Sequence, residues 1–349
     1  MTDSALARAA DDAALDALTV SVETLAAIPS RTICLQLSFS KFGTRRTLDV
    51  NRLDISTTPT LPGKKRPKKG DDAPAAEAKP TDKTLLAASK RILESTELRA
   101  VGEVMGRAKA YIEVRAVPNS IVADGTYLVP IARVDEIEAE LEGPMRTQFD
   151  AAVDKFVAAY PRLHDEIKVR LGDLYDEKDY PQGDRAVRAK FGMKKRWLAL
   201  GVPDQLQTVS ATLWEQEKQR AEAMWRDGAD EITAALLGGF GDLVEHMVDR
   251  LGYDEDEEGN AKKRVFRDST ITRVETFLDT FKDRNITDNA QLNVLIDQAR
   301  EVMSSVEDPA VMLRTSDRIR DRVRASFESI KAEVDQMRVI VKTRGIRFE

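Results

Sequence analysis

Apolar residues first recur at helical spacing over Ser4 to Ala27, where Leu6, Leu15, Leu18, Val22 and Leu25 share a face and Pro29 closes the run. The period then falls to two. Ile33, Leu35, Leu37 and Phe39 alternate with Cys34, Gln36, Ser38 and Ser40, the pattern of a half-buried strand, and Gly43 precedes a stretch through Leu48 and Val50 that reads as its partner strand. Helical pattern resumes at Leu85 and runs towards Val117. The sequence PNSIVADGTYLVPI then reads as a turn followed by a short strand at Tyr127 to Ile131, which joins the same sheet.

From Arg133 to Leu171, Val134, Ile137, Leu141, Met145, Phe149, Phe156, Tyr160, Leu163 and Ile167 fall mostly three or four residues apart, predicting a long amphipathic helix. Gly143 and Pro144 should kink it, and Pro161 is a second place for a bend. After a strand-like RWLAL, a second long helix is expected beyond Pro203, capped by Asp204 and continuing to Leu251 through Leu213, Met224, Ile232, Leu236, Phe240, Leu243 and Met247. At about 1.5 Å per residue each spans roughly 60 to 70 Å, and such helices are expected to pair antiparallel. Asp268 to Lys282, Asp288 to Val306 and Pro309 to Val341 read as three further helices, with Thr287 as a cap candidate. The expectation is a mainly α protein with a small antiparallel β-sheet (α+β), a long antiparallel coiled-coil-like helical hairpin and C-terminal helices. Its segments would be 1–131, 132–264 and 265–349, the last packing on the hairpin.

Composition fits extended helices: 33% of residues are charged and 6% aromatic, against a usual charged share of about 25%. No apolar run approaches the roughly 20 residues of a membrane span and Met1 to Ala10 lack a basic leader, so a cytoplasmic protein without membrane contact is expected. A single cysteine excludes an intrachain disulfide, and Cys34 reads as a structural thiol. With two histidines beside it, no metal centre built from several His and Cys ligands can be assembled within one chain. Asp254, Asp256, Glu258 and Gly259 open like a calcium loop, but Val265 stands where a bidentate Glu is needed, which leaves a solvated acidic loop. Asp242, Glu245, His246 and Asp249 share neighbouring helix faces without a second Glu-x-x-His element, so a solvated face is the better reading. Gly238, Gly239 and Gly241 fit no phosphate-binding loop and suggest close helix packing or a kink. Neither catalytic residues nor a cofactor are assigned, and a non-enzymatic interaction protein is expected.

Charge placement adds one candidate chemistry. The net charge is −6, yet residues 61–83 carry 7 Lys/Arg against 4 Asp/Glu. Ser56 to Asp82 is too poor in large apolar residues to offset ordering entropy and reads as a disordered linker. Within it Lys64, Lys65, Arg66, Lys68 and Lys69 form a basic arm able to neutralise phosphates without reading sequence, although such runs more often mark solvated linkers. Lys194, Lys195, Arg196 and Trp197 place an aromatic beside three cations, as single-strand binders do; the competing reading is that Trp197 anchors its strand to the body. Arg314, Arg318 and Arg322 form a stripe interleaved with Asp317 and Asp321, which suggests intrahelical ion pairs.

Four blocks carry a family resemblance: LLAASKRILESTEL at 85–98, GTYLVPIARVDEIEAEL at 125–141, FVAAYPRL at 156–163 and FRDSTITRVETFLDTFKDRNITD at 266–288. Together they resemble a domain family of unknown function found in phages and bacterial integrative mobile elements. The resemblance implies genetic neighbours that include a MoxR/CobS-like AAA+ ATPase, a von Willebrand-type CobT-like protein and recombination proteins. It therefore implies an adaptor for, or a substrate of, that ATPase during DNA processing; the expected function is an adaptor or assembly protein, homo-oligomeric or bound to the ATPase, or alternatively, on the two basic clusters, a DNA-binding accessory factor in recombination or replication. These blocks hold packing and turn residues and imply no catalytic group.

Overall fold

The computed structural model describes residues 22–48, 56–57, 79–80, 87–118, 121–255 and 261–346. In order these form α1 (Val22–Arg31), β1 (Thr32–Ser40), β2 (Arg45–Leu48), β3 (Ser56–Thr57), β4 (Lys79–Pro80), β5 (Ala88–Arg91), α2 (Thr96–Arg115), β6 (Thr126–Pro130), α3 (Val134–Glu140), α4 (Arg146–Leu171), α5 (Asp184–Arg188) and β7 (Gly192–Leu198). There follow α6 (Gln205–Val209), α7 (Ala211–Leu251), β8 (Tyr253–Glu255), β9 (Ala261–Lys263), α8 (Asp268–Arg284), α9 (Ala290–Ser304), α10 (Pro309–Thr315) and α11 (Asp317–Ile346). The protein is mainly α with small antiparallel sheets, as its hydrophobic periods imply. Two compact units result, one from Met1–Ser38, Gly106–Arg146 and Met193–Glu349, the other from Phe39–Met105 and Thr147–Gly192. This division differs from contiguous segments cut at 131 and 264, because pairing joins stretches that lie far apart in the chain.

In the first unit β1 is the central strand of a sheet ordered β6-β1-β7. It pairs antiparallel with β6, from Thr32 opposite Pro130 to Gln36 opposite Thr126. Leu35 and Leu37 are buried as the alternation requires, and Cys34 is buried too, because the start of this strand joins the helical core. The expected hairpin partner through Leu48 pairs elsewhere: β2 lies antiparallel to β5 in the second unit. The helix expected from Leu85 likewise starts only at Thr96, after this strand.

The core of the first unit is built on α7, which buries Trp225, Ile232, Leu236, Phe240 and Met247 with residues of α8, α9 and α11. The antiparallel partner of α7 is α11: Arg320 near the start of α11 donates to Leu251 O and Arg338 near its end donates to Gly238 O. This corrects the expected pairing with the 133–171 segment, which is split. A π-helical turn at Leu141–Met145 carries Gly143 and Pro144 and separates α3 from α4, and α4 runs unbroken through Pro161. At Gly241 the Arg338 guanidinium lies where a Cβ would stand.

The caps also differ from expectation. Asp204 is already in helical conformation ahead of the one-turn α6, whereas Ser210 is extended and accepts the Leu213 N–H at 3.2 Å. Asn289 caps α9, accepting from Leu292 N–H at 2.9 Å, while Thr287 is buried against Thr233 and Asn285. The helix read over Pro309 to Val341 breaks at the extended Ser316. The expected intrahelical pairs of the arginine stripe are replaced by links between elements: Arg314 to Asp268, Asp317 to Lys263, and Tyr253 donating to Asp321 at 2.8 Å.

A charged cluster ties α2, α3 and α8 in this unit. Glu136 accepts from Arg115 Nε at 2.6 Å, Arg133 Nη1 at 2.8 Å and Tyr111 OH at 3.1 Å, and Arg133 Nε also reaches Asp283 at 2.6 Å. Burial pushes the Glu136 carboxyl upward, but the hydrogen bonds from Arg133 and Arg115 outweigh it and hold the group at about 2. Its folded pKa is thus depressed, so its contribution is present above the ordinary carboxylate range and is lost as pH falls towards about 2. With 37% of the side chain exposed, screening leaves about 1–2 kcal/mol. Glu136→Gln is expected to lower denaturant stability by that amount at neutral pH, the difference from wild type shrinking through acid titration. An equal difference at pH 7 and near pH 2 would remove the ionic account.

Candidate nucleic-acid interface

The β2–β5 ladder of the second unit sets cation against cation. Arg45 lies opposite Arg91 and Arg46 opposite Lys90, an arrangement that costs free energy unless the charge is answered. On one face it is answered: Lys90 is buried and pairs with Asp179 at 2.7 Å while donating to Leu174 O at 2.6 Å, and Arg46 stands 3.8 Å from the same carboxylate. Behind this face an aromatic series of Phe42, Phe156, Tyr160, His164 and Tyr180 stiffens the unit, and Tyr180 donates to Ile92 O at 2.9 Å.

The other face opens into a cleft of about 470 Å³. Its lining brings Lys41, Arg45, Arg91 and Arg99 together above the buried Leu93 and Leu98. Arg91 pairs with Glu94 at 2.7 Å, whose carboxyl it holds below the ordinary range through that hydrogen bond. Lys41, Arg45 and Arg99 have no ion-pair partner among the described residues. The cleft also receives the first turn of α2, where Ser95 caps the helix by accepting the Leu98 N–H at 3.1 Å. Geometrically, four cations converge on one concave surface, with Glu94 and Glu103 as the acids of its lining among the described residues.

The two sequence-derived clusters fare differently. Lys194, Lys195, Arg196 and Trp197 lie on β7, so the pleat sends them to opposite faces. Lys195 is paired with Glu138 and, at 3.1 Å, with Glu142, and Trp197 Nε1 donates to Glu138 at 3.0 Å. The hydrogen bond from Lys195 holds both carboxyls below their ordinary range. Trp197 therefore anchors its strand, as the competing reading had it, and only Lys194 and Arg196 are exposed. The arm at Lys64, Lys65, Arg66, Lys68 and Lys69 lies outside the described residues, on the stretch of chain between β3 and β4. Ser56–Thr57 and Lys79–Pro80 pair antiparallel at the two ends of that stretch.

Whole-chain charge separates along the same lines. The segments of the second unit carry 22 Lys/Arg against 18 Asp/Glu, net +4, and those of the first carry the remaining 32 against 42, net −10. Among the described residues no group of His, Cys, Asp and Glu is placed to hold a metal ion, and no helix is long and apolar enough to cross a membrane. Set against family models, curated proteins and solved structures, the chain matches none. Sequence patterning gave no sign of Lys41, Arg45 and Arg99, since they sit singly on a loop, a strand and a helix that only the fold brings together.

Proposed function

We propose that the protein is a non-enzymatic accessory factor that binds nucleic acid through its phosphate backbone, using the cleft of the second unit together with the Lys64–Lys69 arm. The observation that carries this reading is the convergence of Lys41, Arg45 and Arg99, which have no ion-pair partner among the described residues, beside a ladder whose opposite face is neutralised by Asp179. Phosphates supply the missing countercharge, and several convergent cations on a concave surface favour a polyanion over a single ion. The acidic first unit repels the same polyanion and so confines it to the second. Among the described residues no aromatic lines the cleft, so contact with the backbone rather than base stacking is expected. The mobile-element setting and AAA+ partner that the family resemblance implies support a role for such a factor in recombination or replication.

An adaptor role is favoured by a different observation. The first third of α7, Ala211–Met224, is mostly exposed and carries Leu213 at 40% and Met224 at 37% exposure, and the shielded Trp214 Nε1 has no hydrogen-bond acceptor among the described residues. That pattern suits a helix face covered by a protein.

Fluorescence anisotropy with a mixed-sequence duplex of about 30 base pairs separates the two. Binding is expected at about 50 mM salt and should weaken by roughly a thousandfold or more towards about 200 mM if six or more phosphates are engaged. Absence of binding at the low salt concentration removes the nucleic-acid reading and leaves the adaptor.

A further inference from the structure

The first unit holds a second cavity, of about 550 Å³, lined by α2, α7 and α8. Its apolar wall comes from Ala110, Val114, Leu243 and Phe277. Arg284, at the end of α8, lies against it: Nε donates to Ala116 O at 2.9 Å and the guanidinium carbon sits 5.7 Å from the Phe277 ring centre. Among the described residues this is the one protein acceptor that Arg284 meets, and no carboxylate pairs with it. Arg320, a fully buried arginine of this unit, instead directs its three nitrogens at five carbonyl oxygens. The Arg284 guanidinium is half-buried, and its Nη groups, which reach solvent, meet no protein acceptor among the described residues and are free to donate to a ligand.

The remaining polar groups of the lining do not supply that acceptor. Asp242 is taken by Arg338 at 2.6 Å, and the Thr272 and Thr276 hydroxyls donate to Asp268 O at 3.3 Å and Thr272 O at 2.6 Å. Glu113 and Arg273 are both exposed and opposite in sign. Burial pulls the Arg284 guanidinium down to about 10, with no acidic neighbour opposing the shift, and it remains charged at neutral pH. A pocket of a few hundred Å³ with an apolar wall and a charged group whose donors are free is a usual build of a small-molecule site.

We infer that this cavity binds a small organic carboxylate with an apolar body, the carboxylate accepting from the Nη groups of Arg284 and the body lying on Phe277, Leu243 and Val114. A carboxylate matches the planar pair of Nη donors, which a neutral amide engages with one oxygen only. The site lies in the acidic unit and is independent of the nucleic-acid cleft.

Calorimetric titration of the full chain with octanoate and with octanamide tests the inference. Octanoate should bind saturably at one site, with octanamide roughly tenfold to a hundredfold weaker. Arg284→Met should abolish the preference for the carboxylate. Gly239→Leu should abolish binding while leaving Arg284 in place, because a Cβ at 239 has 3.7 Å to Phe277 Cε2 and is accepted by the backbone, while the rest of the leucine fills the cavity. Unchanged circular dichroism and tryptophan fluorescence confirm that each variant is folded. No saturable octanoate binding to wild type, equal affinity for octanamide, or wild-type affinity in folded Arg284→Met or Gly239→Leu would each overturn the site.

Discussion

Arg320→Met is expected to destabilise the first unit by about 4 kcal/mol or more, a large share of the roughly 5–15 kcal/mol that typically holds a domain folded. Arg320 is 1% exposed. Its Nε donates to Leu251 O at 2.9 Å, its Nη1 to Leu313 O at 3.1 Å, and its Nη2 to Arg250 O at 2.7 Å, Gly252 O at 3.3 Å and Arg264 O at 3.1 Å. Three of those carbonyls close the end of α7, where the helix has no further N–H to offer and its dipole is negative. The same guanidinium fastens the chain after β9 and the end of α10, so five acceptors from three places depend on one side chain. Each carbonyl left shielded costs roughly 1–3 kcal/mol, and relaxation or water entry recovers only part of the total.

Arg320→Lys keeps the charge but offers a single nitrogen with three donors, so an intermediate loss of about 2–3 kcal/mol is expected. Arg318→Met, two positions away and exposed, should stay within about 0.5 kcal/mol of wild type. All three tryptophans, Trp197, Trp214 and Trp225, lie in segments of the first unit. Denaturation followed by tryptophan fluorescence therefore reports on that unit even if the two melt separately. Arg320→Met within about 1 kcal/mol of wild type would show that water replaces the guanidinium.

Arg320 also shows what a sequence reading can and cannot reach. The periodicity of α7, α8 and α9 and the alternation of β1 are local properties, set by which side chains face a core, and they are legible residue by residue. Choice of partner is not local. The apolar stripe on α7 demands burial but is equally compatible with the stripes of α4 and α11, and Leu48 fits a strand beside β1 as well as one beside β5. Arg318 and Arg322 stood out because they fit a helical spacing, whereas Arg320 acquires its role from carbonyls at 250–252, 264 and 313 that no spacing connects. The same holds for the cleft. The arm at Lys64–Lys69 is visible as a run, but Lys41, Arg45 and Arg99 become a set only when β2 pairs with β5 and α2 begins beside them. Conversely, Lys195 and Trp197 looked available because the sequence does not reveal that Glu138 and Glu142 already hold them.

This contrast fixes the expected ranking of charge-neutralising variants in nucleic-acid binding. Each duplex phosphate neutralised adds about 0.9 to the slope of log affinity against log salt. Replacing Lys41, Arg45 and Arg99 with alanine should therefore flatten that slope by about 2.7 and weaken binding by about 100-fold or more near 100 mM salt. Neutralising all five arm cations can remove a slope of up to about 4.5. The cleft cations are held on a strand, a helix and the loop that precedes the ladder, so they meet the backbone already positioned. Lys194→Ala with Arg196→Ala removes two exposed cations from the acidic unit and should change affinity by no more than about twofold. Circular dichroism controls for folding, and the three cleft residues are exposed and carry no ion pair among the described residues. If the cleft variant binds with wild-type affinity and slope while the arm variant loses both, the phosphates lie on the arm alone and the cleft is not their site. If both variants lose slope, and the combined variant loses about the sum, arm and cleft grip one strand together.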